Sequence, residues 1–274
     1  MVKPWPRTAP GYAGPTVATY LDKILAAHRG AALAGNRDLP RLVAEAEDGP
    51  PTRGFKAALG AASGTAVIAE LKRRSPSKGP LALDLVPGVT AKVFAGAGAT
   101  CLSVLTDQEF FGGSAADLAQ ARAAVDLPVL RKDFTVCPAD VCDARLMGAD
   151  AVLLIVGALS ADELAELLAL AWRLQLDALV EVHDEAEAGV ALAAGADLVG
   201  VNQRDLVTFE VDTDRAVRVA ARLPDGIVRV AESGIRTRDD VQRLASAGFD
   251  AVLVGEAIVS APDPGAALAA LCGA

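Results

Sequence analysis

The sequence predicts an α/β protein: a closed (β/α)8 TIM barrel with an N-terminal helical extension. Three observations carry this reading. From about residue 65 onward, a short run rich in Val, Ile and Leu is followed by a turn and then by roughly ten residues at helical spacing, and the unit recurs eight times. The apolar runs are continuous rather than alternating, as in strands buried on both faces of a parallel sheet covered by helices. Finally, Gly-Ala-Asp or a close variant precedes several of the runs: Gly98-Ala99-Thr100, Gly148-Ala149-Asp150, Gly195-Ala196-Asp197 and Gly248-Phe249-Asp250. Glycine suits the left-handed position after a helix C-terminus, so each marks a corner from helix to strand. Eight units in about 210 residues fit a closed barrel. The rival, a doubly wound open sheet, has roughly five to seven strands and, when it binds dinucleotides, a GxGxxG after its first strand. No such motif follows the first run here.

In chain order, Thr19–Ala34 reads as an amphipathic helix, and Arg41–Glu47 and Phe55–Ala62 as shorter ones, with Gly49-Pro50-Pro51 as a break. Residues 1–64 are therefore expected to form a helical extension packed on the barrel, with Met1–Pro15 loosely ordered. Residues 65–274 are the expected barrel. Its strands are read at Ala66–Leu71, Cys101–Leu105, Pro128–Leu130, Ala151–Val156, Ala178–Val182, Leu198–Val201, Ile227–Ala231 and Ala251–Val254. Ser160–Leu174 and Thr237–Ala247 are the clearest intervening helices.

Composition narrows the function. Hydrophobic residues make up 52% of the chain and aromatic ones only 4%, a balance suited to a parallel α/β core. A formal net charge of −9 argues against nucleic-acid and anionic-membrane partners, while leaving room for a local cationic pocket. Cys101, Cys137, Cys142 and Cys272 form no CxxC pair, and His28 and His183 are the only histidines, so no metal site is expected. Cys137 and Cys142 read as spectators sharing a helix. Free thiols, the absence of an apolar core in MVKPWPRTAPGYAGP and the lack of a membrane-length apolar run lead us to expect a cytoplasmic protein.

The active site of such a barrel forms at the C-terminal ends of its strands. The first strand ends in VIAELKRRSPSKG, where period-two geometry sends Glu70 and Lys72 to one side. The third ends Arg131-Lys132-Asp133-Phe134, the fifth Glu181-Val182-His183 and the sixth Asn202-Gln203-Arg204-Asp205. The seventh ends Glu232-Ser233-Gly234 and the eighth Gly255-Glu256. Lysines and glutamates are costly to bury unpaired. Lys72, Lys132, Glu70 and Glu181 gathered at one mouth suggest a site for an anionic substrate. Glycines in the last two loops let backbone N–H groups approach phosphate oxygens, in the region where such barrels often hold a phosphate.

These residues carry a resemblance. The segments IAELKRRSPSKG, LSVLTDQEFFGGS, PVLRKDF, ADAVLLIV, ALVEVHDEAE, GVNQRDLVTFEVD, VAESGI and AVLVGEAI, in this order from about Tyr20 to the C-terminus, resemble the indole-3-glycerol phosphate synthase family. The resemblance implies a carboxy-lyase of tryptophan biosynthesis acting on 1-(o-carboxyphenylamino)-1-deoxyribulose 5-phosphate, without metal or organic cofactor. It implies Lys132 as main general acid, Lys72 as partner of the substrate carboxylate, and Glu181 as base, or as acid in dehydration. Glu70 and Asn202 would orient them. Arg204, Ser233, Gly234, Gly255 and Glu256 would lie at the phosphate, Ser75 near the anthranilate, and Phe111, Phe134 and Leu153 around the aromatic ring. Two departures stand out: Ala257 follows Gly255-Glu256 where many relatives carry a Ser, and Gln203 stands where Asn or Ser is commoner. The first is expected to remove a hydroxyl near the phosphate, the second to have no consequence. His183 is read as loop packing.

The partner implied is a small phosphorylated molecule, with the chain a monomer or weak homodimer. Two rivals remain at this stage. A sugar-phosphate isomerase on the same fold would use a carboxylate or Cys/Asp base and is disfavoured by the doubled lysines. A non-catalytic sensor would have no need of the set Lys72, Lys132 and Glu181.

Overall fold

The computed structural model describes residues 19–205 and 207–273; the expected loose start, Met1–Pro15, lies outside them. Eight parallel strands close into a barrel: β1 (Ala66–Leu71), β2 (Cys101–Leu105), β3 (Val129–Lys132), β4 (Ala151–Ile155), β5 (Asp177–Val182), β6 (Leu198–Asn202), β7 (Val228–Glu232) and β8 (Ala251–Val254). Each pairs with its neighbours in sequence, and β1 closes against β8 with Ala66 opposite Ala251 and Ala69 opposite Val254. The four glycine corners hold: Gly98, Gly148, Gly195 and Gly248 have φ of 97°, 85°, 91° and 86°. An added Cβ there would be strained, which is why the sequence repeats glycine at these points.

The strands run slightly further than the apolar runs suggest. β3 reaches Lys132, β6 reaches Asn202 and β7 reaches Glu232. The reason is physical: the ladder continues past the last apolar residue, and its final inward position is given to a polar side chain that faces the mouth. Alternation sorts the rest. Val67, Ala69, Leu102, Val104, Val152 and Leu154 pack outward against the helices. Ala66, Ile68, Leu130, Leu153, Leu179, Leu198, Val230 and Leu253 fill the interior. The barrel is thus a packed core below and a polar cup above.

Three helices precede the barrel: α1 (Tyr20–Ala34), α2 (Leu39–Glu47) and α3 (Phe55–Gly60). Thr19 closes a capping box with Asp22 at the start of α1. The segment touches both ends of the barrel. At the base, Phe55 and Leu59 of α3 are fully buried among the interior residues of the strands. At the mouth, Ile24 of α1 is buried beside Phe134 and Leu153. Between them α2 lies along the Pro138–Leu146 helix, and Arg173 Nε bonds Glu47 at 2.7 Å. Cys137 is the N-cap of that helix rather than a member of it, because Pro138 starts the first turn and Cys142 alone lies inside.

Candidate active site

The strand ends enclose one large cavity of about 1130 Å³. Every residue singled out from the sequence lines it: Glu70, Lys72, Ser75, Phe111, Lys132, Phe134, Leu153, Glu181, Asn202, Arg204, Ser233, Gly234, Gly255 and Glu256. Their side chains play unequal parts.

The polar centre is built from strand register. Glu70 stands opposite Ser103 and Asn202 opposite Glu232, so carboxylates from β1, β5 and β7 meet the lysine of β3 at one level. Lys132 Nζ lies 3.3 Å from Glu232 Oε2, 3.6 Å from Glu181 Oε2 and 3.9 Å from Glu70 Oε2. Lys72 Nζ lies 2.5 Å from Glu70 Oε1. Two ammonium groups from distant parts of the chain therefore converge on one glutamate. Asn202 Nδ2 donates to Glu181 Oε1 at 3.1 Å, fixing that carboxylate.

Three carboxylates around two lysines leave an excess of negative charge, and the acids divide accordingly. Burial works against the ionised form of Glu70, but Lys72 and Lys132 outweigh it and hold its carboxyl below the usual range. Glu181 is likewise held low: burial opposes ionisation, and Lys132 together with the His183 ring overcomes it. For Glu232 burial dominates, Lys132 compensates only in part and Glu181 repels, so its carboxyl is pushed up to about 8 and carries a proton at neutral pH. Lys132 stays firmly protonated, because the surrounding Glu232, Glu181 and Glu70 outweigh burial.

The sequence places Glu232 at the mouth, as the end of the seventh run, but assigns it no role. Both its oxygens are buried without a partner in hydrogen-bond geometry. A signal existed in Gly200: a methyl group there would collide with the Glu232 carboxyl, so the neighbouring strand is kept bare to admit it. Gly255 does the same for Glu70, whose carboxylate occupies the space a Cβ would need.

On one side of this centre lies an apolar wall. Phe111 and Phe134 stand with ring centroids 6.4 Å apart, and Leu153 and Ile24 continue the surface. Ser75 is buried at its edge, its hydroxyl accepting from Lys78 N–H at 3.3 Å. On the other side lie the last two loops. Ser233 and Gly234 have φ of 67° and 74°, two successive left-handed residues in the cavity wall. Gln203, expected to be inconsequential, clamps this turn by donating from Nε2 to the Ser233 carbonyl at 2.7 Å. Gly255 caps the short helix Glu256–Val259. Arg204 reaches Glu256 Oε2 at 3.2 Å and Ser77 Oγ at 3.4 Å, so the Glu256 side chain is engaged and its backbone N–H is what it can offer an anion. Lys78 and Arg236, not singled out from the sequence, also line this end.

Comparison with known proteins bears on this constellation. A family model described as indole-3-glycerol phosphate synthase matches residues 21–271. A Streptomyces coelicolor protein named indole-3-glycerol phosphate synthase 2 is 53% identical over 82% of this chain and 86% of its own length. Proteins named indole-3-glycerol phosphate synthase from a Polaromonas species and from Mycolicibacterium vanbaalenii are 49% and 48% identical, over 92% and 93% of this chain and 98% and 94% of their own lengths. Among solved structures, a thiamine phosphate pyrophosphorylase from Pyrococcus furiosus has a TM-score of 0.57 at 18% identity, covering 76% of this chain and 94% of its own; that likeness is one of fold.

Proposed function

The chain belongs to the indole-3-glycerol phosphate synthase family, and we propose that it performs that family's reaction with Lys132 as general acid, Glu181 as base and Glu232 as proton reserve. The reaction is the decarboxylating ring closure of 1-(o-carboxyphenylamino)-1-deoxyribulose 5-phosphate to indole-3-glycerol phosphate, CO2 and water, a carboxy-lyase step of tryptophan biosynthesis. The observation that carries the assignment of roles is the convergence of the Lys72 and Lys132 ammonium groups on Glu70, at 2.5 Å and 3.9 Å.

In this reading the aryl carbon bearing the carboxylate attacks the ribulose carbonyl carbon. The carbonyl π pair moves onto oxygen, which takes a proton from the Lys132 ammonium; such acid catalysis contributes roughly 10²–10⁴-fold. Lys72 pairs with the substrate carboxylate until the bond to the ring breaks, its electrons restore aromaticity and CO2 leaves. In the dehydration Lys132, once reprotonated, gives a second proton to the new hydroxyl, which departs as water, while Glu181 takes the proton that the new ring gives up. Glu232, holding a proton 3.3 Å from Lys132, returns one to the lysine. The Phe111–Phe134 wall and the Ser233–Gly234 and Gly255–Glu256 loops hold the two ends of a flexible substrate, with Arg204 steadying the phosphate side. That restraint converts ring closure into a reaction of preset geometry.

Replacing Lys132 by Met tests the assignment. Indole formation, followed by absorbance or fluorescence, is expected to vanish while product binding persists; wild-type turnover by this variant overturns the role of Lys132. The chain is further read as a cytoplasmic monomer or weak homodimer that binds no nucleic acid. Supporting this, the net charge is −9, and no helix among the described residues is long and apolar enough to cross a membrane. Sedimentation at micromolar concentration checks the oligomeric state.

A further inference from the structure

His183 lies just past the end of β5, and the role of Glu181 proposed above leaves it unused. Its ring is largely buried and does not line the cavity. Nδ1 lies 3.0 Å from Glu187 Oε2, and the His183 backbone N–H donates to the same oxygen at 2.7 Å. A carboxylate only accepts, so this contact keeps a proton on Nδ1. The other nitrogen, Nε2, is buried without a hydrogen-bond partner and points at Glu181, 3.5 Å from Oε1. A buried, unpartnered ring nitrogen facing a reacting carboxylate calls for an account.

The charge pattern of the mouth supplies one. Glu70, Glu181 and Glu232 all face Lys132. Glu70 has a second cation in Lys72. Glu181 has a second cation only if His183 is protonated. Glu232 has none among its close contacts. The three acids therefore do not share their cations equally, and the position of His183 favours Glu181.

We propose that His183 is a positioning residue: clasped by Glu187, its imidazolium stands behind Glu181 and keeps that carboxylate ionised as the base, a support that Glu232, which shares only Lys132, does not have. The groups facing the ring agree with this. Glu181 on β5 and Glu187 on the helix Glu185–Ala193 favour its cationic form, Arg215 on the helix Arg215–Ala220 opposes it, Asn202 on β6 is neutral, and the turn Val156–Ala158 brings no charged side chain. Burial alone would push the imidazole toward neutrality, yet the two carboxylates raise it above its ordinary value.

The inference rests on Glu181 being the base, so the experiment separates the two. The pH profiles of kcat/KM are measured for the parent, His183→Asn, Glu187→Gln and Glu181→Gln with one substrate preparation, so that substrate ionisation is common to all. Asn keeps an amide for Glu187 but brings no charge. In His183→Asn the acid limb is expected to move up by about one pH unit, so that the loss is greatest at low pH and shrinks as pH rises, with KM little changed. Glu187→Gln, remote from the cavity and partly exposed, is expected to move the limb the same way by a smaller amount, and it serves as the deciding variant should His183→Asn fold poorly. A uniform loss at every pH, or an unmoved limb, overturns the role of His183. Full turnover by Glu181→Gln overturns the underlying assignment of Glu181 instead.

Discussion

At the scale of single residues, Glu232 is a carboxylic acid held far from its behaviour in water. It keeps its proton to about pH 8 in the folded chain and releases it near 4.5 when unfolded. Between those values the folded state binds the extra proton, so this group lowers stability as pH rises through the window. Glu232→Gln has no proton to hold. It is expected to be more stable than the parent at pH 7, with the gap closing toward pH 4.5, while losing turnover; chemical denaturation at several pH values checks it. Gly200→Ala probes the same group from the neighbouring strand. Its methyl would force the Glu232 carboxyl aside, and we expect a loss of about 1–3 kcal/mol with a fall in kcat. Lys72, Lys132, Glu70 and Glu181 were legible because charged residues at the ends of apolar runs are conspicuous. The role of Glu232 was not, because its importance lies in what surrounds it: two oxygens left without partners and a bare glycine across the strand gap. His183 was hidden for the same reason, since its meaning depends on Glu187 one helical turn away in space.

At the scale of elements, the hydrogen-bond ladder outlasts hydrophobicity. β3, β6 and β7 end on Lys132, Asn202 and Glu232, each beyond the last apolar residue. A reading based on apolar runs stops short just where function begins. Helix starts were easier to see, because Thr19, Ser160 and Thr237 each cap a helix and each meets an acid three residues on. That α1 packs on the barrel was expected, but the side chains that dock it were not visible. His28 Nε2 lies 2.8 Å from Asp107 Oδ2 and 3.8 Å from Asp133 Oδ1. Those carboxylates already accept from the Phe110 and Phe134 backbone N–H groups, so the trio works as a clasp between α1 and the rim. Burial disfavours the charged ring, but the bond to Asp107 and the field of Asp133 raise it above its ordinary value. The stability it adds is therefore full below about pH 6.5, the ordinary value of the free ring, and is lost as pH rises through the raised one. His28→Gln should melt below the parent at pH 6, and the difference in Tm should shrink by pH 9.

At the scale of the whole molecule, the chain before the barrel and the barrel itself share one interior. Phe55 and Leu59 complete the floor beneath the strands, so Phe55→Ala is expected to cost about 3–5 kcal/mol, measured by denaturant unfolding. Sequence periodicity announced the eight units and their order. It could not announce that the extension reaches both poles of the barrel, because nothing local in Phe55 distinguishes a floor plug from an ordinary helical residue. The closing seam has a further consequence. Glu70 belongs to the first strand and Gly255 follows the last, yet the carboxylate of one fills the hollow left by the other. During translation the early segments leave the ribosome long before their final neighbour exists. A chain that stops short of Ala251 lacks the partner that β1 and Glu70 pack against, so it is expected to show no turnover.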